Sequence, residues 1–536
     1  MFNSGSIRTD RILITLLGAA FFLPFLGQVH LFDWDEINFA EAAREMIVTG
    51  KYYTVQINYL PFWQKPPLFI WMQALSMNLF GVGEYGARFP NAICGILTLL
   101  TFYEIGRREK SRVFGLYWAL AYLASLLPHL YFKSGIIDPW FNYFIFLSVY
   151  FFYRYTKEPI GSWMFWAAAV SGLGVMTKGP VALLMLGLTV VSIVLVRSSI
   201  LIVKIQHALI FMGSLILFGG FWFLEEIVAG RFYIIQEFID YQIKLLKTED
   251  AGHAGPFFYH PLVILIGCFP ISVFAFPKLF RFKGLKERGM GAWMLSLFWL
   301  VILVFSIVQT KIVHYSSLAY FPLSYLAADA VSLRVEGKPF PRSVRLGLIL
   351  VGSILLILFL TLPYLGMNIE LLRGLDIRDP FARANLQAEV SWTFTDLLMP
   401  FLFLAALLAM LFSKRMGIAL LTSALSIALM LLLFVPKVEA YSQRAAIEFF
   451  KEQSSEDVYV YPLDYKSYAH LFYSQKRLPQ EERHSDIGWI LSGNSSLDCL
   501  FISKTQHKER FEKAYPQLRV KGEKNGFVFY ELKSAN

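Results

Sequence analysis

Apolar runs separated by short polar segments follow one another along most of the chain. An α-helix needs about 20 apolar residues to cross the roughly 30 Å of hydrocarbon in a bilayer, and thirteen runs approach that length. The pattern therefore predicts an α-helical polytopic membrane protein with about thirteen transmembrane helices. The predicted spans are residues 11–30, 86–106, 113–131, 137–153, 162–177, 179–196, 206–225, 258–277, 291–309, 315–333, 344–364, 396–412 and 416–436.

Two of these runs need a separate comment, the first run and the boundary between the fifth and the sixth. The first run has no small-residue cleavage site before the acidic residues that follow it, so we interpret it as a retained span. The fifth and sixth spans are separated only by Thr177-Lys178-Gly179-Pro180, which makes their boundary the weakest of the series.

Basic residues alternate from one side of the predicted membrane to the other. Lys and Arg concentrate in residues 107–112, 154–157, 197–204, 278–288, 334–345 and 413–415, whereas the intervening loops hold most of the carboxylates. Because cytoplasmic loops carry an excess of Lys and Arg, we expect the N-terminus inside. In a bacterium, the chain would then lie in the inner membrane, with everything after residue 438 in the periplasm.

The loop after the first span carries an acidic cluster. Asp33, Asp35 and Glu36 are followed by residues 39–48, whose apolar positions recur at helical spacing, and by a second predicted helix over residues 66–79. We interpret both as helices that lie in the membrane interface. The alternative is that these acids are simply solvated, as is common in outer loops.

Composition and charge narrow the class of protein. Hydrophobic residues make up 56% of the chain, charged residues only 16%, and the mean hydropathy of +0.51 excludes an ordinary soluble protein. The net charge of +10 lies in short clusters between apolar runs, so membrane topology explains it better than nucleic-acid binding. The three cysteines form neither a disulfide framework nor a zinc motif.

The composition becomes polar after residue 438. We predict a transmembrane domain over residues 1–438 and a small periplasmic α/β domain over 439–536. Its expected elements are helices at 442–453 and 508–514 and strands at 458–461, 500–503 and 526–532. A role as a lid or in docking the acceptor, and simple structural capping, are equally compatible with this segment.

Asp138 lies at the outer mouth of the fourth span among apolar residues, where a carboxylate needs a partner or a function. The alternative is that it caps the helix that begins at Pro139. Lys65, Lys178 and Lys311 are isolated cations at the outer ends of spans. Cations in such positions can hold a phosphate at the outer leaflet, although snorkelling lysines are also common there.

Several motifs together resemble a known family, the polyprenyl-phosphate-dependent glycosyltransferases of the GT-C superfamily. The most similar patterns are those of the bacterial lipid A aminoarabinose transferases and the protein O-mannosyltransferases. The motifs that carry the resemblance are Asp35-Glu36-x-Asn38-Phe39-x-Glu41-x-Ala43-Arg44, Gln64-Lys65-Pro66-Pro67, Arg88-Phe89-Pro90, Asp138-Pro139, Thr177-Lys178-Gly179-Pro180, His253-Ala254-Gly255-Pro256 with Tyr259, and Lys311-Ile312-Val313-His314-Tyr315.

The resemblance implies a GT-C fold and an inverting transferase that uses a polyprenyl-phosphate sugar donor. The aspartate matched by Asp35 activates the acceptor, the one matched by Asp138 positions a substrate, and the lysine matched by Lys65 contacts the donor phosphate. The implied site comprises Asp35, Asp138 and Glu36 as catalytic residues, Lys65, Arg44, Lys178 and Lys311 around the phosphate, and Gln64, His253, Tyr259, His314 and Tyr315 in the pocket for the acceptor.

Two positions depart from the aminoarabinose subgroup. That subgroup carries an acid before Lys-Pro-Pro which, with a histidine matched by His253, can hold a divalent metal. This chain has Gln64, and a neutral amide is a much poorer metal ligand, so we expect no required cofactor. The subgroup often has arginine where this chain has Asn38. Both differences weaken a specific assignment to aminoarabinose and lipid A.

Three functional hypotheses follow from the sequence. The first is transfer of one sugar from an undecaprenyl-phosphate donor to lipid A, another glycan or a protein at the periplasmic face. The second is a lipid or sugar transporter, which should show ionisable residues at mid-span and inverted repeats. Here the charges lie at the outer mouths and no repeat is visible. The third is a non-catalytic assembly or receptor protein.

Overall fold

The computed structural model describes residues 6–198, 202–247, 255–454, 456–479, 481 and 483–534. The first part of the helical region comprises α1 (Ile7–Phe22), α2 (Asp35–Thr49), the hairpin strands β1 (Gln56–Ile57) and β2 (Leu60–Pro61), α3 (Leu68–Phe80), α4 (Glu84–Glu109), α5 (Arg112–Leu123), α6 (Leu126–Tyr131), α7 (Asp138–Lys157), α8 (Gly161–Lys178), α9 (Val181–Arg197), α10 (Ile205–Gly219), α11 (Phe221–Val228) and α12 (Phe232–Lys247).

The helical region continues after residue 255 and leads into a mixed α/β segment. Its second part comprises α13 (Tyr259–Gly267), α14 (Ile271–Leu279), α15 (Met290–Ile307), α16 (Tyr320–Val335), α17 (Arg342–Met367), α18 (Glu370–Arg373), α19 (Pro380–Asn385), α20 (Phe394–Phe412) and α21 (Met416–Ser442), with 3-10 helices Phe282–Lys286 and Val313–Ala319. The C-terminal segment comprises α22 (Arg444–Glu452), β3 (Tyr459–Pro462), α23 (Ala469–Tyr473), α24 (Ile487–Leu491), β4 (Cys499–Lys504), a 3-10 turn Thr505–His507, α25 (Lys508–Ala514), β5 (Arg519–Lys524) and β6 (Phe527–Leu532).

Twelve of the thirteen predicted runs coincide with one helix or with two helices separated by a short break, whereas the first run, 11–30, is helical only as far as Phe22. Five helices of the described residues, α4, α15, α17, α20 and α21, are long and apolar enough to cross a membrane. The pair α10 and α11, bent by 59°, would make a sixth span. Among the other helices, α9 is shorter, with 17 residues, and several are broken, whereas α7 with 20 residues and α8 with 18 are long enough but are not among these five. The fold is that of a polytopic helical membrane protein.

The boundary between the fifth and sixth predicted runs is a true break. Helix α8 ends at Lys178 and α9 begins at Val181. Gly179 between them has a φ of 102°, and a Cβ there would lie 2.8 Å from the Phe238 ring. Only glycine fits that conformation and that contact, so the sequence Lys178-Gly179-Pro180 forces the chain to turn and leaves the lysine at the helix end.

The two predicted interfacial helices exist as α2 and α3, but α2 does not present a polar face to water. Every residue from 36 to 46 is buried, including Glu36, Glu41 and Glu45. The hypothesis of solvated acids is therefore wrong for Glu36. Arg44 donates two hydrogen bonds of 2.6 and 2.7 Å to Glu41, which neutralises that carboxylate inside the protein.

Glu36 and Arg88 form the buried connection that anchors the start of α2. Arg88 donates to both carboxylate oxygens of Glu36, at 2.8 and 2.9 Å, and its remaining N–H groups reach the carbonyls of Leu26, Val29 and His30. This single guanidinium thus ties the loop after α1 to α4. The loop is fixed at the point where α2 begins.

The C-terminal segment covers α2 from outside. Its four-stranded sheet has the order β3-β4-β6-β5, with β3 parallel to β4 and the other neighbours antiparallel. Tyr473 accepts a hydrogen bond from the Leu31 N–H at 2.7 Å, and Gln443 donates to the Leu31 carbonyl at 2.9 Å. Tyr59 of the β1–β2 turn donates to the Lys476 carbonyl at 2.5 Å. The tail therefore packs directly on the loop that carries Asp35.

The predicted elements of the tail all occur, and the short helices α23 and α24 and the strand β5 are additional. Strand β5 could not be predicted from the sequence. Its residues are mostly exposed and charged, so it lacks the apolar alternation that identifies a strand. Helix α21 continues to Ser442, which puts the predicted domain boundary at residue 438 inside a helix.

Replacing Arg88 with methionine should destabilise the protein by about 3 kcal/mol or more, because the Glu36 carboxylate would stay buried without its cation. Thermal unfolding in detergent, followed by tryptophan fluorescence, measures the change. Arg11→Met is the matched control, since Arg11 is half exposed in its pair with Glu104 and should cost less than about 1 kcal/mol. Equal losses for the two variants would contradict the anchoring role of Arg88.

Candidate active site

A cavity of about 1620 Å³ opens between the first outer loop and the helical bundle. Its lining combines charged side chains with apolar ones. The charged and polar lining residues include Asp33, Asp35, Gln64, Lys65, Lys133, Asp138, Asn142, Lys178, Tyr241, Lys244, His314, Tyr315 and Lys466. The apolar lining includes Leu184 and Met185 of α9 and Leu425, Leu429, Leu432 and Val435 of α21. Such a cavity suits an amphipathic ligand with a polar head and an apolar chain.

Four of the predicted residues form a connected chain in the cavity lining. Lys178 donates to Asp138 Oδ1 at 2.7 Å. His314 Nε2 lies 3.0 Å from Asp35 Oδ2 and 3.8 Å from Asp138 Oδ2. Residues that are as far apart as 35 and 314 in sequence thus meet in one place.

Each of these side chains is held at the end of a helix. Asp35 is the first residue of α2, Asp138 the first of α7, and Lys178 the last of α8. His314 lies on the short 3-10 helix that precedes α16. Helix ends bring polar side chains to the rim of an apolar bundle without burying them at mid-span.

The alternative role of Asp138 as a helix cap is wrong. Helix α7 begins at Asp138 itself, its N-cap is Ile137, and no side chain makes a capping hydrogen bond. Asp138 instead pairs with Lys178, and its Oδ2 atom is buried with no hydrogen-bond partner. A buried carboxylate oxygen without a partner is costly, which favours a role in the site.

Asp35 keeps its charge under unusual conditions. Burial would raise the pKa of its carboxyl, but the hydrogen bond from His314 and the attraction of His314, Lys178 and Lys65 outweigh burial and lower the pKa to about 2. The neighbouring Asp33 lacks such cations, and burial raises the pKa of its carboxyl to about 6. The side chain of Asp35 remains 31% exposed, and it lines the cavity.

Lys65 and Lys178 face aromatic rings in the same cavity. The Lys65 ammonium lies 5.1 Å from the centre of the Tyr241 ring, and the Lys178 ammonium lies 5.1 Å from that of Tyr315. Gln64 lines the cavity beside Lys65. These predicted residues are therefore brought together with the two aspartates.

Glu36 lines the cavity and Arg44 does not, but both are occupied by partners of their own. Glu36 is fully occupied by Arg88 and by the backbone N–H groups of Phe32 and Gly135, so it anchors the loop rather than taking part in chemistry. Arg44 is bound to Glu41, which leaves it no role at a phosphate.

Lys311 and Tyr259 also lie elsewhere. The Lys311 ammonium donates to three carbonyls at the end of α15, those of Phe305, Ser306 and Val308. A cation is stabilising at a helix C-terminus, and this explains Lys311 without a phosphate. Tyr259 begins α13 and is absent from the cavity lining. His253 lies outside the described residues.

Sequence reasoning missed part of the lining. Tyr241 and Lys244 come from α12, which reads as an ordinary amphipathic helix, and Lys466 comes from the tail. Asn142, one turn after Asp138, donates to Ser317 at 2.7 Å and so fixes the 3-10 helix of His314. Its spacing of four residues from Asp138 was the available sign that it shares a helix face with that residue.

The residues around Gln64 do not fit a divalent metal. Across the part of the chain that the structure describes, no group of three or more His, Cys, Asp or Glu side chains is arranged to hold one. Gln64 contributes a neutral amide where a carboxylate would be the stronger ligand.

Known proteins are similar to this chain in sequence and in fold. Residues 64–222 match the family model described as dolichyl-phosphate-mannose-protein mannosyltransferase. An uncharacterised protein of Aquifex aeolicus is 30% identical over 302 residues, which cover 55% of this chain and 58% of that one. The undecaprenyl phosphate-alpha-4-amino-4-deoxy-L-arabinose arabinosyl transferase of Aeromonas hydrophila is 28% identical over 328 residues, 59% of each chain. The resemblance predicted from the motifs is confirmed.

Solved structures extend the likeness to the whole fold. ArnT from Cupriavidus metallidurans bound to undecaprenyl phosphate superposes with a TM-score of 0.77 at 18% identity and 98% coverage of both chains. The Archaeoglobus fulgidus oligosaccharyltransferase in its apo form gives a TM-score of 0.52 at 11% identity, over 95% of this chain and 70% of that one. In sequence, this chain spans about three fifths of the length of the curated relatives it matches. It resembles the GT-C glycosyltransferases in sequence and in fold.

Replacing Lys178 with glutamine should destabilise the protein by about 3 kcal/mol, because the Asp138 carboxylate would remain buried without its cation. Adding Asp138→Asn to that variant should recover most of the loss. A double-mutant cycle of thermal unfolding in detergent measures the coupling. The exposed pair of Arg383 and Asp376 is the control, and Arg383→Gln should cost less than about 1 kcal/mol. A double variant no more stable than Lys178→Gln would contradict the pairing.

Proposed function

We propose that this chain is an inverting glycosyltransferase that moves one sugar from a polyprenyl-phosphate donor to an acceptor at the outer face of a bacterial inner membrane. The observation that carries the proposal is the single cavity in which Asp35, Asp138, Lys65 and Lys178 meet an apolar wall. A lipid-linked donor has the same division, with an anionic phosphate beside the sugar and a long apolar tail.

The cations of the site suit the leaving group. Lys65 and Lys178 line the cavity, and Lys244 of α12 lines it as well. Ammonium groups neutralise the charge that develops on a phosphate as the bond to the sugar breaks, and this stabilises the transition state. The apolar residues of α9 and α21 would hold the first part of the lipid tail.

Asp35 is the residue that can activate the acceptor. It is ionised, lies at the rim of the cavity and has a carboxylate oxygen that is not held by His314. In the reaction, the acceptor oxygen forms a bond to the anomeric carbon while the bond from that carbon to the phosphate oxygen breaks. The electron pair goes to the phosphate and the acceptor proton goes to Asp35. A single displacement inverts the anomeric centre, and no glycosyl-enzyme is formed.

The acceptor and the sugar are the finer part of the proposal. The relatives named above include an arabinosyl transferase and a family described by protein mannosylation. The replacement of an acid by Gln64 favours a sugar other than the aminoarabinose of the first group. A lipid, a glycan and a protein hydroxyl are all acceptors of suitable chemistry.

We also propose that all thirteen predicted runs cross the membrane, with the N-terminus in the cytoplasm. The alternation of basic and acidic loops supports this orientation. It puts the cavity mouth, the acidic loop and the C-terminal segment together at the periplasmic surface, where a flipped lipid-linked donor is available.

Asp35→Asn should leave a folded, membrane-inserted protein whose transfer rate falls by at least about a hundredfold, since general-base catalysis contributes about 10²–10⁴. Mass spectrometry of released polyprenyl phosphate, with a panel of polyprenyl-phosphate sugars, measures the rate. Asp376→Asn is the control, because Asp376 is almost fully exposed and should behave as wild type. Substantial transfer by Asp35→Asn would reject the assigned base. Translocation of donor in liposomes with no covalent product would favour a transporter instead.

Lys65→Gln should raise the KM for the donor by about tenfold, since a hydrogen bond to a charged group contributes about 1.5–3 kcal/mol. Undecaprenyl phosphate should inhibit wild type competitively and inhibit the variant less. Lys311→Gln is the matched control, because its ammonium is occupied at the end of α15 and should not alter the inhibition constant. Equal inhibition of wild type and Lys65→Gln would exclude Lys65 from the phosphate site.

A further inference from the structure

Among the ion pairs of the described residues, only His314 lies within 4 Å of both aspartates. Its Nε2 atom is 3.0 Å from Asp35 Oδ2, a hydrogen-bond distance, and 3.8 Å from Asp138 Oδ2, which is too long for one. Because Asp35 is ionised, the nitrogen that faces it must carry a proton and donate. The single N–H therefore bonds to Asp35, and Asp138 lies just beyond hydrogen-bond distance of the same nitrogen.

The contact with His314 decides which oxygen of Asp35 is available. A carboxylate rotates easily about its last bond unless one oxygen is held. His314 holds Oδ2, and no other side-chain hydrogen bond to Asp35 occurs among the described residues. The other oxygen, Oδ1, is left for the acceptor, in an orientation that the protein has fixed in advance.

The backbone that carries the imidazole is held in place. Ser317, on the same 3-10 helix, donates to the His314 carbonyl and accepts from Asn142 of α7. The Tyr315 ring lies 5.3 Å from the imidazole. This arrangement fixes the backbone of His314 relative to α7, and so relative to Asp138.

We propose that His314 is the positioning residue of the base: its Nε2–H orients Asp35 towards the acceptor and shifts to Asp138 once Asp35 is protonated. This inference rests on the proposed transferase function. Protonation of Asp35 makes it a poor hydrogen-bond acceptor, whereas Asp138 Oδ2 lies only 3.8 Å away, buried and without a hydrogen-bond partner. The shift would satisfy that oxygen at the moment when the acceptor proton arrives on Asp35.

Several charged and titratable groups surround the contact between His314 and Asp35. They are Asp35 from α2, Asp138 from α7, Lys178 of α8 on the far oxygen of Asp138, Tyr315 from its own element, and His260 of α13 through Ser316. Among these, only His314 contacts Asp35 directly. Loss of its hydrogen bond should therefore raise the pKa of Asp35, because only the charges of Lys178 and Lys65 would then counteract the effect of burial.

The test compares pH–rate profiles of wild type, His314→Leu and His314→Gln. A base must be ionised, so activity falls as the pH drops through the pKa of Asp35. In His314→Leu this acidic limb should move up by about one pH unit or more, and kcat should fall much more than the KM for the donor changes. His314→Gln should recover part of both effects, since its amide N–H reaches about the position of Nε2.

His260→Leu is the matched control. His260 packs on the same 3-10 helix through Ser316 but is absent from the cavity lining, so its loss should not move the acidic limb. An infrared pH titration gives a readout that needs no turnover: the carbonyl band that Asp35→Asn removes should appear at higher pH in His314→Leu than in wild type.

The outcomes separate the two proposals. If wild type releases no polyprenyl phosphate from any donor–acceptor pair, the transferase function fails and this role fails with it. If wild type is active but His314→Leu keeps the wild-type acidic limb and the wild-type infrared titration, only the role of His314 is overturned. The role of His314 is supported if the acidic limb and the infrared titration both move to higher pH in His314→Leu and neither moves in His260→Leu, each compared with wild type.

Discussion

Charge that is buried beside a membrane has to be neutralised by another part of the protein, and this requirement organises the whole outer region. Glu36 is held by Arg88, Glu41 by Arg44, and Asp138 by Lys178. Each pair joins segments that the apolar helices alone would leave independent or holds one segment rigid. Because the unpaired form of any member would be strongly unfavourable, the pairs define one arrangement of the loop on the bundle.

The candidate site also contains a carboxylate that is stabilised by cations from other segments. Asp35 is stabilised as an anion by His314, Lys178 and Lys65, although none of these lies on its own helix. Under the proposed function, a donor phosphate that binds Lys65 and Lys178 would remove part of what keeps Asp35 a weak base. Donor binding and acceptor activation would then be linked through the electrostatics of these side chains.

The helices could be predicted from the sequence because membrane-spanning helices need long apolar runs, and the short segment Lys178-Gly179-Pro180 marked the break between the fifth and the sixth. The aspartates and Lys65 could be found because they lie in the motifs that carry the family resemblance. Which group each charged side chain contacts could not be predicted from the sequence. Arg44 and Lys311 resemble phosphate ligands in sequence, but only the fold shows that Glu41 and the end of α15 occupy them. Lys244 and Lys466 were hidden in segments with ordinary composition.

The docking of the tail on the first outer loop has a consequence for how such proteins diversify. Leu31, four residues before Asp35, is held through its backbone by Tyr473 and Gln443, and the β1–β2 turn is held by Lys476. The tail and the loop therefore form one complementary interface. A tail exchanged for that of a distant relative would bring a surface that matches another loop, so the two segments are expected to be inherited and to vary as a single unit.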